Sequence, residues 1–317
     1  MVTRNGGPDV LELRDEPEAR PGAGELLVAL EAAGINFRDV YEREGRGAYA
    51  NEPPLIGGAE GAGTVAAVGE GAYGFAEGDR VAWAAAPGSC AERVVVKAAN
   101  AVKVPDGVSS EVAAAVILQG MTAHYLCVST YPVQEGDDVL VHAAAGGVGL
   151  LLTQMVKLRG GRVIATTSTP EKAELARGAG ADETIGYDGF AERVRELTGG
   201  IGVAVVFDGI ARATFDGSLA SLRRRGTLVL YGMASGPAPP YDLEQLRKGS
   251  LYVTRPGLPD YTATREELVW RASEVFGWIA EGKLDVRIGE RYALEDARRA
   301  HEDLEARRST GKLVLVP

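Results

Sequence analysis

The strongest constraint on the fold is a glycine-rich turn between an apolar strand and an apolar helix. Residues 139–141 (VLV) lead into AAGGVG at 144–149, and the helical residues 150–155 follow without a gap. In such turns one glycine permits the tight bend, one lets backbone N–H groups approach a pyrophosphate, and one lets helix and strand pack closely. The helix N-terminus adds N–H donors and a partial positive charge. We therefore predict a dinucleotide site at Gly146, Gly147, Val148 and Gly149, although Ala144 replaces the usual first glycine.

The end of the next strand distinguishes between cofactors. An NAD site usually carries an acidic residue there, which accepts hydrogen bonds from the ribose 2′-hydroxyl. Here the strand 163–167 ends in Ser168 and Thr169, no carboxylate follows until Glu171, and Lys172 comes next. The missing acid removes a repulsion and the lysine attracts a 2′-phosphate, so the sequence favours NADPH, with Ser168 and Lys172 as contacts.

Strands and helices alternate along the middle of the chain. We predict strands at 138–143, 162–166, 183–185, 202–207 and 226–231, and helices at 150–158, 170–178, 189–197 and 213–222. Five strands separated by four helices are typical of βαβ units on a parallel sheet, that is, of an α/β fold.

The flanking regions have a different pattern. Short strands at 26–30, 63–68, 80–83 and 93–97, separated by glycine and proline, predict an irregular β-rich domain. After the middle region we predict helices at 264–281 and 294–307 and a last strand at 312–316. That strand has no partner in the middle region, so we expect it to return to the first domain.

Length and charge limit the classes of function. A chain of 317 residues is long enough for two domains. Its net charge of −10 disfavours nucleic-acid and anionic-membrane surfaces. The apolar stretches are shorter than the roughly 20 residues of a membrane span, and no secretory signal is visible, so we predict a cytoplasmic protein. We expect Cys90 and Cys127 to be small buried residues.

Five segments together resemble a known family. They are AGINFRD at 33–39, GAEGAG at 58–63, GDRV at 78–81, HAAAGGVG at 142–149 and GSLYVTRP at 249–256. The chain resembles the zinc-free quinone oxidoreductase (zeta-crystallin-like) branch of the medium-chain dehydrogenase/reductase superfamily. The resemblance implies a Rossmann-type, doubly wound NADPH-binding domain at 121–254. It also implies a β-rich GroES-like catalytic domain made of 1–120 and 255–317.

The resemblance also bears on metal binding. Zinc-dependent relatives place a cysteine where this chain has Asn36, and a histidine where it has Ala59. The three histidines are widely scattered, so short-range spacing assembles no zinc site. We therefore expect no metal, and a packed or hydrogen-bonded role for His142.

Further site residues follow from the resemblance. Tyr187 would flank the adenosine 2′-phosphate with Ser168 and Lys172, and Arg307 would close over the same end. The nicotinamide half or the substrate would lie near Asn36, Tyr41, Thr122, Tyr125, Tyr231, Gly232, Val253, Thr254 and Arg255. Asp208 ends a strand and is either a neighbour of the cofactor or a helix N-cap.

The implied reaction is hydride transfer from NADPH to a quinone. We expect solvent, or a hydroxyl of Tyr41 or Tyr125, to protonate the product. One alternative is reduction of 2-alkenals, enones or enoyl thioesters, for which Arg38, Arg43, Arg46 and Arg255 could attract a phosphopantetheine arm. Another is a non-enzymatic NADPH-binding crystallin-like or RNA-binding protein. By resemblance we also expect a homodimer, formed through edge strands at 228–230 and 251–253.

Overall fold

The computed structural model describes residues 1–317, apart from the side chain of Ala48. It divides into two compact units, one made of Met1–Gln119 and Thr264–Pro317 and the other of Gly120–Ala263. The domain limits expected from the sequence, after residues 120 and 254, stay a prediction.

The strands are distributed over both units. In chain order they are β1 Glu25–Ile35, β2 Glu60–Val68, β3 Arg80–Trp83, β4 Arg93–Lys97, β5 Val102–Lys103, β6 Asp138–Val141, β7 Arg162–Thr166, β8 Glu183–Ile185, β9 Val203–Asp208, β10 Leu222–Leu230, β11 Tyr252–Thr254, β12 Ile288–Ala293 and β13 Lys312–Val316.

The helices alternate with these strands mainly in the second unit. They are α1 Phe37–Arg43, α2 Ser110–Tyr125, α3 Gly147–Leu158, α4 Pro170–Gly178, α5 Phe190–Leu197, α6 Phe215–Ser221, α7 Leu258–Tyr261, α8 Arg265–Ala280 and α9 Ala297–Glu305.

The unit Gly120–Ala263 contains a parallel sheet of order β11-β10-β9-β6-β7-β8. Its central strands are apolar because both faces of the sheet are covered, and all six residues of β9 are buried. From β6 the chain runs outward to β7 and β8, and then returns to β9 on the other side. The sheet is therefore doubly wound, as predicted, and its topological switch point lies at β6.

The other unit contains a largely antiparallel sheet of order β12-β13-β1-β2-β3-β5, with β4 also paired to β1. The last strand, β13, pairs with β1, so the prediction that the chain returns to its first domain is confirmed. The two ends of β1 have different partners, β4 at its first half and β13 at its second. The core of this sheet includes the fully buried Trp83, whose indole N–H donates to Ser89 Oγ at 2.8 Å.

Several local expectations were wrong. The strand predicted at 26–30 continues to Ile35, and α1 follows it inside the AGINFRD segment. At the start of α1, Asp39 Oδ2 accepts the Asn36 N–H at 2.8 Å, and the Asp39 N–H donates to the backbone oxygen of Asn36 at 3.0 Å. The strand β10 begins at Leu222, inside the helix predicted at 213–222, and β12 was not predicted.

One helical segment also differs from expectation. Residues 110–130 form a helical run that is long and apolar enough to cross a membrane by length and composition alone. However, 78% of its most apolar window is buried inside the structure, and a core helix passes the same test. The expectation that every apolar stretch is too short was therefore wrong for this segment.

Candidate active site

The glycine turn follows β6, at the carboxyl ends of the parallel strands. Ala143 adopts a left-handed conformation with φ of 50°, and Gly146 is the N-cap of α3. The Gly146 N–H donates back to Ala143 O at 2.9 Å, which closes the turn. Ligands of open α/β sheets bind at such switch points, so the structure places the turn where a dinucleotide would bind.

Gly149 shows why the turn requires a glycine there. A Cβ at this position would lie 2.7 Å from Ala144 Cα and closer still to Ala143 O. The first turn of α3 therefore packs directly on the backbone of the preceding loop. Ala144 is fully buried and its N–H donates to Thr166 O at 3.2 Å, so this position accommodates a methyl group. The first N–H groups of α3 have no partner within the helix, and they fit a pyrophosphate.

A buried polar network surrounds His142, which directly precedes the glycine turn. His142 contacts Thr166 Oγ1 at 2.8 Å through Nδ1 and Ser218 Oγ at 3.0 Å through Nε2. The Ser218 hydroxyl in turn donates to Asp208. Burial lowers the pKa of His142 to about 4, so the ring is neutral near pH 7. The predicted packed, hydrogen-bonded role of His142 is confirmed.

Each carboxylate oxygen of Asp208 accepts two hydrogen bonds within the protein. One carboxylate oxygen accepts the N–H groups of Ile210 and Ala211 at 2.8 and 3.0 Å. The other accepts the hydroxyls of Thr214 and Ser218 at 2.7 and 2.9 Å. Asp208 thus orders the loop after β9, and its role as a cofactor contact stays a prediction.

The residues expected at the adenosine end lie around the end of β7. Ser168 is exposed, Thr169 caps α4, and Lys172 is half-buried in the first turn of that helix. The Tyr187 hydroxyl accepts the Ala143 N–H at 3.1 Å, which ties this tyrosine to the glycine turn. A 2′-phosphate bound here would contact the hydroxyl of Ser168 and the ammonium of Lys172. The first carboxylate after β7 in the sequence is that of Glu171.

Five of the residues expected at the nicotinamide end lie in or directly after β10 and β11, namely Tyr231, Gly232, Val253, Thr254 and Arg255. A Cβ on Gly209 would lie 2.9 Å from the Tyr231 ring, and one on Gly232 would lie 2.9 Å from Gly209 Cα. Arg255 donates to Leu230 O and Gly232 O, both at 3.3 Å. Arg255 therefore braces the end of β10. Val253 and Thr254 lie on the edge strand β11, and Val253 is exposed.

The two predicted residues on α2 are buried. Thr122 is 8% exposed and Tyr125 2%. Tyr125 stacks on Tyr261, with ring centroids 4.4 Å apart and an interplanar angle of 10°. Stacking and burial restrict the movement of the Tyr125 ring and of its hydroxyl. The role of Tyr125 as a proton donor stays a prediction.

In the unit Met1–Gln119 with Thr264–Pro317, Asn36 is the centre of a buried polar cluster. We call Asn36, Glu60, Gln119 and Lys312 the Asn36 cluster. Lys312 Nζ donates to Asn36 Oδ1 at 2.8 Å, to Ile35 O at 3.0 Å and to Glu60 Oε1. Asn36 Nδ2 donates to Glu60 Oε1 at 2.7 Å, and Gln119 Nε2 donates to Asn36 Oδ1.

Strand register brings this cluster together. Gly34 on β1 pairs with Glu60 on one side and Val314 on the other. A Cβ on Gly34 would collide with the Glu60 carboxyl and would lie 2.6 Å from Lys312 Cε. The glycine therefore lets the two charged side chains meet above β1. Burial lowers the pKa of Lys312, and the Glu60 carboxylate opposes that shift.

Sequence reasoning missed Glu60, Gln119 and Lys312 as site residues. Two signals were available. Glu60 is a lone acid among glycines and alanines at the start of a strand, and Lys312 precedes the apolar run LVLV. The pairing of these two charges is not visible without the sheet register.

Tyr41 and Asp39 lie on α1 beside Asn36. Tyr41 is 8% exposed, with its ring 6.3 Å from Phe37 and 5.9 Å from Tyr49. Asp39 Oδ2 accepts the Asn36 N–H at 2.8 Å, and Oδ1 lies 3.9 Å from Arg38 Nε with no hydrogen-bond partner among the described residues. Asp39 also lines a cavity of about 580 Å³ within this unit. Burial raises the pKa of Asp39 to about 7.

Arg43 is one of the four arginines considered for a phosphopantetheine arm, and it is not at the surface. It is fully buried and donates to Gly6 O at 2.9 Å, His301 Nδ1 at 3.1 Å and Glu305 Oε1 at 2.7 Å. Its guanidinium joins α1 to α9. Arg307 is exposed and follows α9, and its contact with a cofactor stays a prediction.

Among the described residues, no group of three or more His, Cys, Asp or Glu side chains is placed to hold a metal ion. Cys127 is fully buried and burial raises the pKa of its thiol to about 12, whereas Cys90 is only half-buried. The expectation of a buried residue is thus confirmed for Cys127 alone.

Comparison with known proteins agrees with this geometry. Residues 22–135 match the alcohol dehydrogenase GroES-like domain, and residues 147–270 match the zinc-binding dehydrogenase family. A quinone oxidoreductase of Pseudomonas aeruginosa is 47% identical over 98% of this chain and 97% of its own length. A 2-haloacrylate reductase of a Burkholderia species is 38% identical over 100% of this chain and 98% of its own.

A solved structure gives the same result. The quinone oxidoreductase of Escherichia coli complexed with NADPH superposes with a TM-score of 0.95 at 40% identity, covering 99% of this chain and 98% of that one. With both family models matched and relatives at this identity over nearly full length, the chain belongs to the quinone oxidoreductase branch of the medium-chain dehydrogenase/reductase superfamily.

Proposed function

We propose that this protein is an oxidoreductase that uses NADPH to reduce a quinone to the hydroquinone. The observation that carries this proposal is the 47% identity, over nearly the whole chain, to a protein named quinone oxidoreductase. The doubly wound sheet with its glycine turn, and the likeness to a structure that contains NADPH, support the choice of cofactor.

The residues around the glycine turn fit NADPH. Because Gly149 has no Cβ, α3 packs tightly on the preceding loop. The first N–H groups of α3, those of Gly147 and Val148, have no acceptor within the helix and would meet the pyrophosphate. Ser168, Lys172 and Tyr187 would hold the adenosine end. The resulting preference for a 2′-phosphate follows from the ammonium of Lys172 and the missing acid at the end of β7. When bound, the cofactor supplies the hydride, and the protein orients it and excludes water.

We propose that the reaction is independent of zinc. The argument rests on the donors of the Asn36 cluster. The oxygen of Asn36 and that of Glu60 already accept hydrogen bonds from the ammonium of Lys312. A divalent cation bound to the same oxygens would be repelled by this buried positive charge.

The test is a steady-state comparison of acceptors. NADPH oxidation is measured with benzoquinones, 2-alkenals and enoyl thioesters, and NADH replaces NADPH in a parallel series. We expect the highest kcat/KM with a benzoquinone and NADPH, with no loss of rate after treatment with a zinc chelator. Failure of every quinone in the panel would refute the proposal.

A second candidate function is reduction of an activated alkene. It is favoured by the 2-haloacrylate reductase relative, because hydride addition to a polarised C=C uses the same cofactor. Reduction of an enoyl thioester is less favoured, because one of the four arginines expected to attract its phosphopantetheine arm, Arg43, is buried. The acceptor comparison above separates these substrates directly.

The non-enzymatic alternative has little support. The basic run at residues 223–225 would be its nucleic-acid contact. It lies in β10 at the register shift between Leu222 and Thr227, and Arg223 pairs with Asp137 at 3.1 Å. Kinship with named oxidoreductases over the whole chain favours the enzyme.

We also propose a cytoplasmic homodimer that binds neither nucleic acid nor membrane. One edge of the parallel sheet is β11, where Tyr252 is 60% exposed, and the proposed dimer forms when this edge pairs with that of a second copy. Residues 228–230 were wrongly expected at an edge, because β10 lies between β9 and β11. A sedimentation mass near that of one chain, 33.3 kDa, would contradict the dimer.

A further inference from the structure

The hydrogen bonds of the Asn36 cluster determine the orientation of both amides in it. Lys312 is only a donor, so the Asn36 atom that it contacts must be the oxygen. Asn36 Nδ2 then faces Glu60 Oε1 at 2.7 Å and Gly34 O at 3.4 Å. The amide of Asn36 therefore has both lone pairs and both hydrogens in use within the protein.

The orientation of Gln119 follows from that of Asn36. Because Asn36 Oδ1 is an acceptor, the Gln119 atom next to it must be the nitrogen. Turning the Gln119 amide by 180° would bring two carbonyl oxygens into contact. Gln119 Nε2 also lies 3.4 Å from Glu60 Oε1, which again requires a donor. The buried ammonium of Lys312 thus fixes the Gln119 carbonyl through Asn36.

Among the residues that the structure describes, Gln119 Oε1 has no hydrogen-bond partner. Gln119 as a whole is only 5% exposed. A buried carbonyl without a donor is destabilising, and a ligand that supplies one O–H group removes that penalty. In the cluster, the acceptor with unused hydrogen-bonding capacity is therefore on Gln119 and not on Asn36.

We propose that Gln119 Oε1 accepts a hydrogen bond from an O–H group that belongs either to the hydroquinone product or to the water that protonates it, with Asn36 and Lys312 as positioning residues. The inference rests on the proposed function. A quinone carbonyl has no O–H, whereas reduction by NADPH and one proton forms hydroquinone and NADP⁺. Gln119 would then interact more strongly with the reduced, protonated state than with the substrate, which affects kcat more than KM.

Equilibrium binding tests the first source of the O–H group. Calorimetry on the NADP⁺-loaded protein compares hydroquinone with 1,4-dimethoxybenzene, which has the same ring and no O–H. In Gln119→Met, a substitution of similar shape, we expect the Kd of hydroquinone to rise about tenfold, with the ether unchanged. Gln134→Met, at an exposed glutamine of the other unit, is the control and should change neither.

The water source is tested by turnover. If a water is the partner, Gln119→Met lowers kcat about tenfold and changes its solvent deuterium isotope effect, with hydroquinone affinity and quinone KM retained. Either pattern supports the inference. Unchanged Kd, kcat and isotope effect overturn it, and so does an equal loss of affinity for hydroquinone and its ether, which would indicate packing alone.

A second variant covers the case in which Gln119→Met does not fold. In Gln119→Glu the neutral acid can donate to Asn36 through its O–H and still present a carbonyl oxygen. We expect it to retain hydroquinone binding at low pH and to lose it as the acid ionises. Because the binding assay needs no turnover, a wild-type protein that binds hydroquinone but reduces no quinone would refute the proposed function and leave this inference standing.

Discussion

Lys312 Nζ donates a hydrogen bond of 2.8 Å to Asn36 Oδ1, although the two residues are 276 positions apart in the chain. The same ammonium also pairs with Glu60, and the Lys312 and Glu60 side chains are 4% and 0% exposed. A lysine is rarely buried without a carboxylate, because its desolvation must be offset by a partner of opposite charge. This contact joins the last strand to the start of α1 and fixes the amide of Asn36.

Breaking this ion pair should cost stability. We expect Lys312→Met to lower the free energy of unfolding by about 3 to 5 kcal/mol, because Glu60 would keep a buried charge without its partner. The double variant Lys312→Met with Glu60→Gln should recover part of the loss. Urea unfolding followed by circular dichroism measures both. Lys103→Met, which breaks the exposed pair with Asp79, is the control and should lose at most about 1 kcal/mol.

A methyl group on the glycine turn should weaken cofactor binding. In Gly149→Ala the new Cβ would collide with Ala143 O, so the turn must move and its N–H groups with it. We expect the Kd of NADPH to rise at least about tenfold, measured by fluorescence titration. Gly178→Ala at the end of α4 is the matched control, because nothing lies within 4 Å of its Cβ. Equal affinities in the two variants would speak against a pyrophosphate at this turn.

Lys172 should carry part of the preference for NADPH. Its ammonium would pair with the 2′-phosphate, a charge-assisted contact whose loss corresponds to roughly tenfold in affinity. We expect Lys172→Met to raise the KM for NADPH by about that factor and to leave the KM for NADH unchanged. Lys248→Met, at an exposed lysine of the same unit, controls for general charge effects. A parallel loss with both cofactors would assign Lys172 a structural role instead.

His301 should make stability depend on pH. Burial, together with the guanidinium of Arg43, lowers its pKa to about 3. The unfolded chain, with an ordinary histidine pKa near 6.5, therefore binds more protons than the folded one between about pH 3 and 6.5. This contribution to stability is complete above pH 6.5 and is lost as the pH falls.

The variant His301→Gln isolates that effect, because a glutamine oxygen can still accept the Arg43 N–H. Between pH 7 and pH 5 we expect wild type to lose about 2 kcal/mol more unfolding free energy than the variant. His142 and Asp39, whose pKa values also change on folding, are present in both proteins and cancel in the difference. Parallel stability curves for the two proteins would contradict the assignment.

The sequence was most informative where function depends on short segments. The turn at 144–149, the Ser168–Lys172 region and the alternation of strands and helices are local patterns, and they predicted the parallel sheet, its nucleotide turn and the choice of NADPH. Element limits were less predictable. The helix expected at 213–222 ends at Ser221 because Leu222 already pairs with Val203 of β9, which is a tertiary contact.

By itself the sequence determined the fold class, the glycine turn and the family, because a strand–turn–helix motif encodes its own geometry over a few consecutive residues. Only the tertiary structure decided the chemistry around Asn36. It brings Lys312 and Glu60 together at Gly34 and determines the orientation of the Asn36 and Gln119 amides. It also leaves the oxygen of Gln119 without a hydrogen-bond donor among the described residues. These contacts depend on strand register and burial across the whole chain, and no local pattern carries that information.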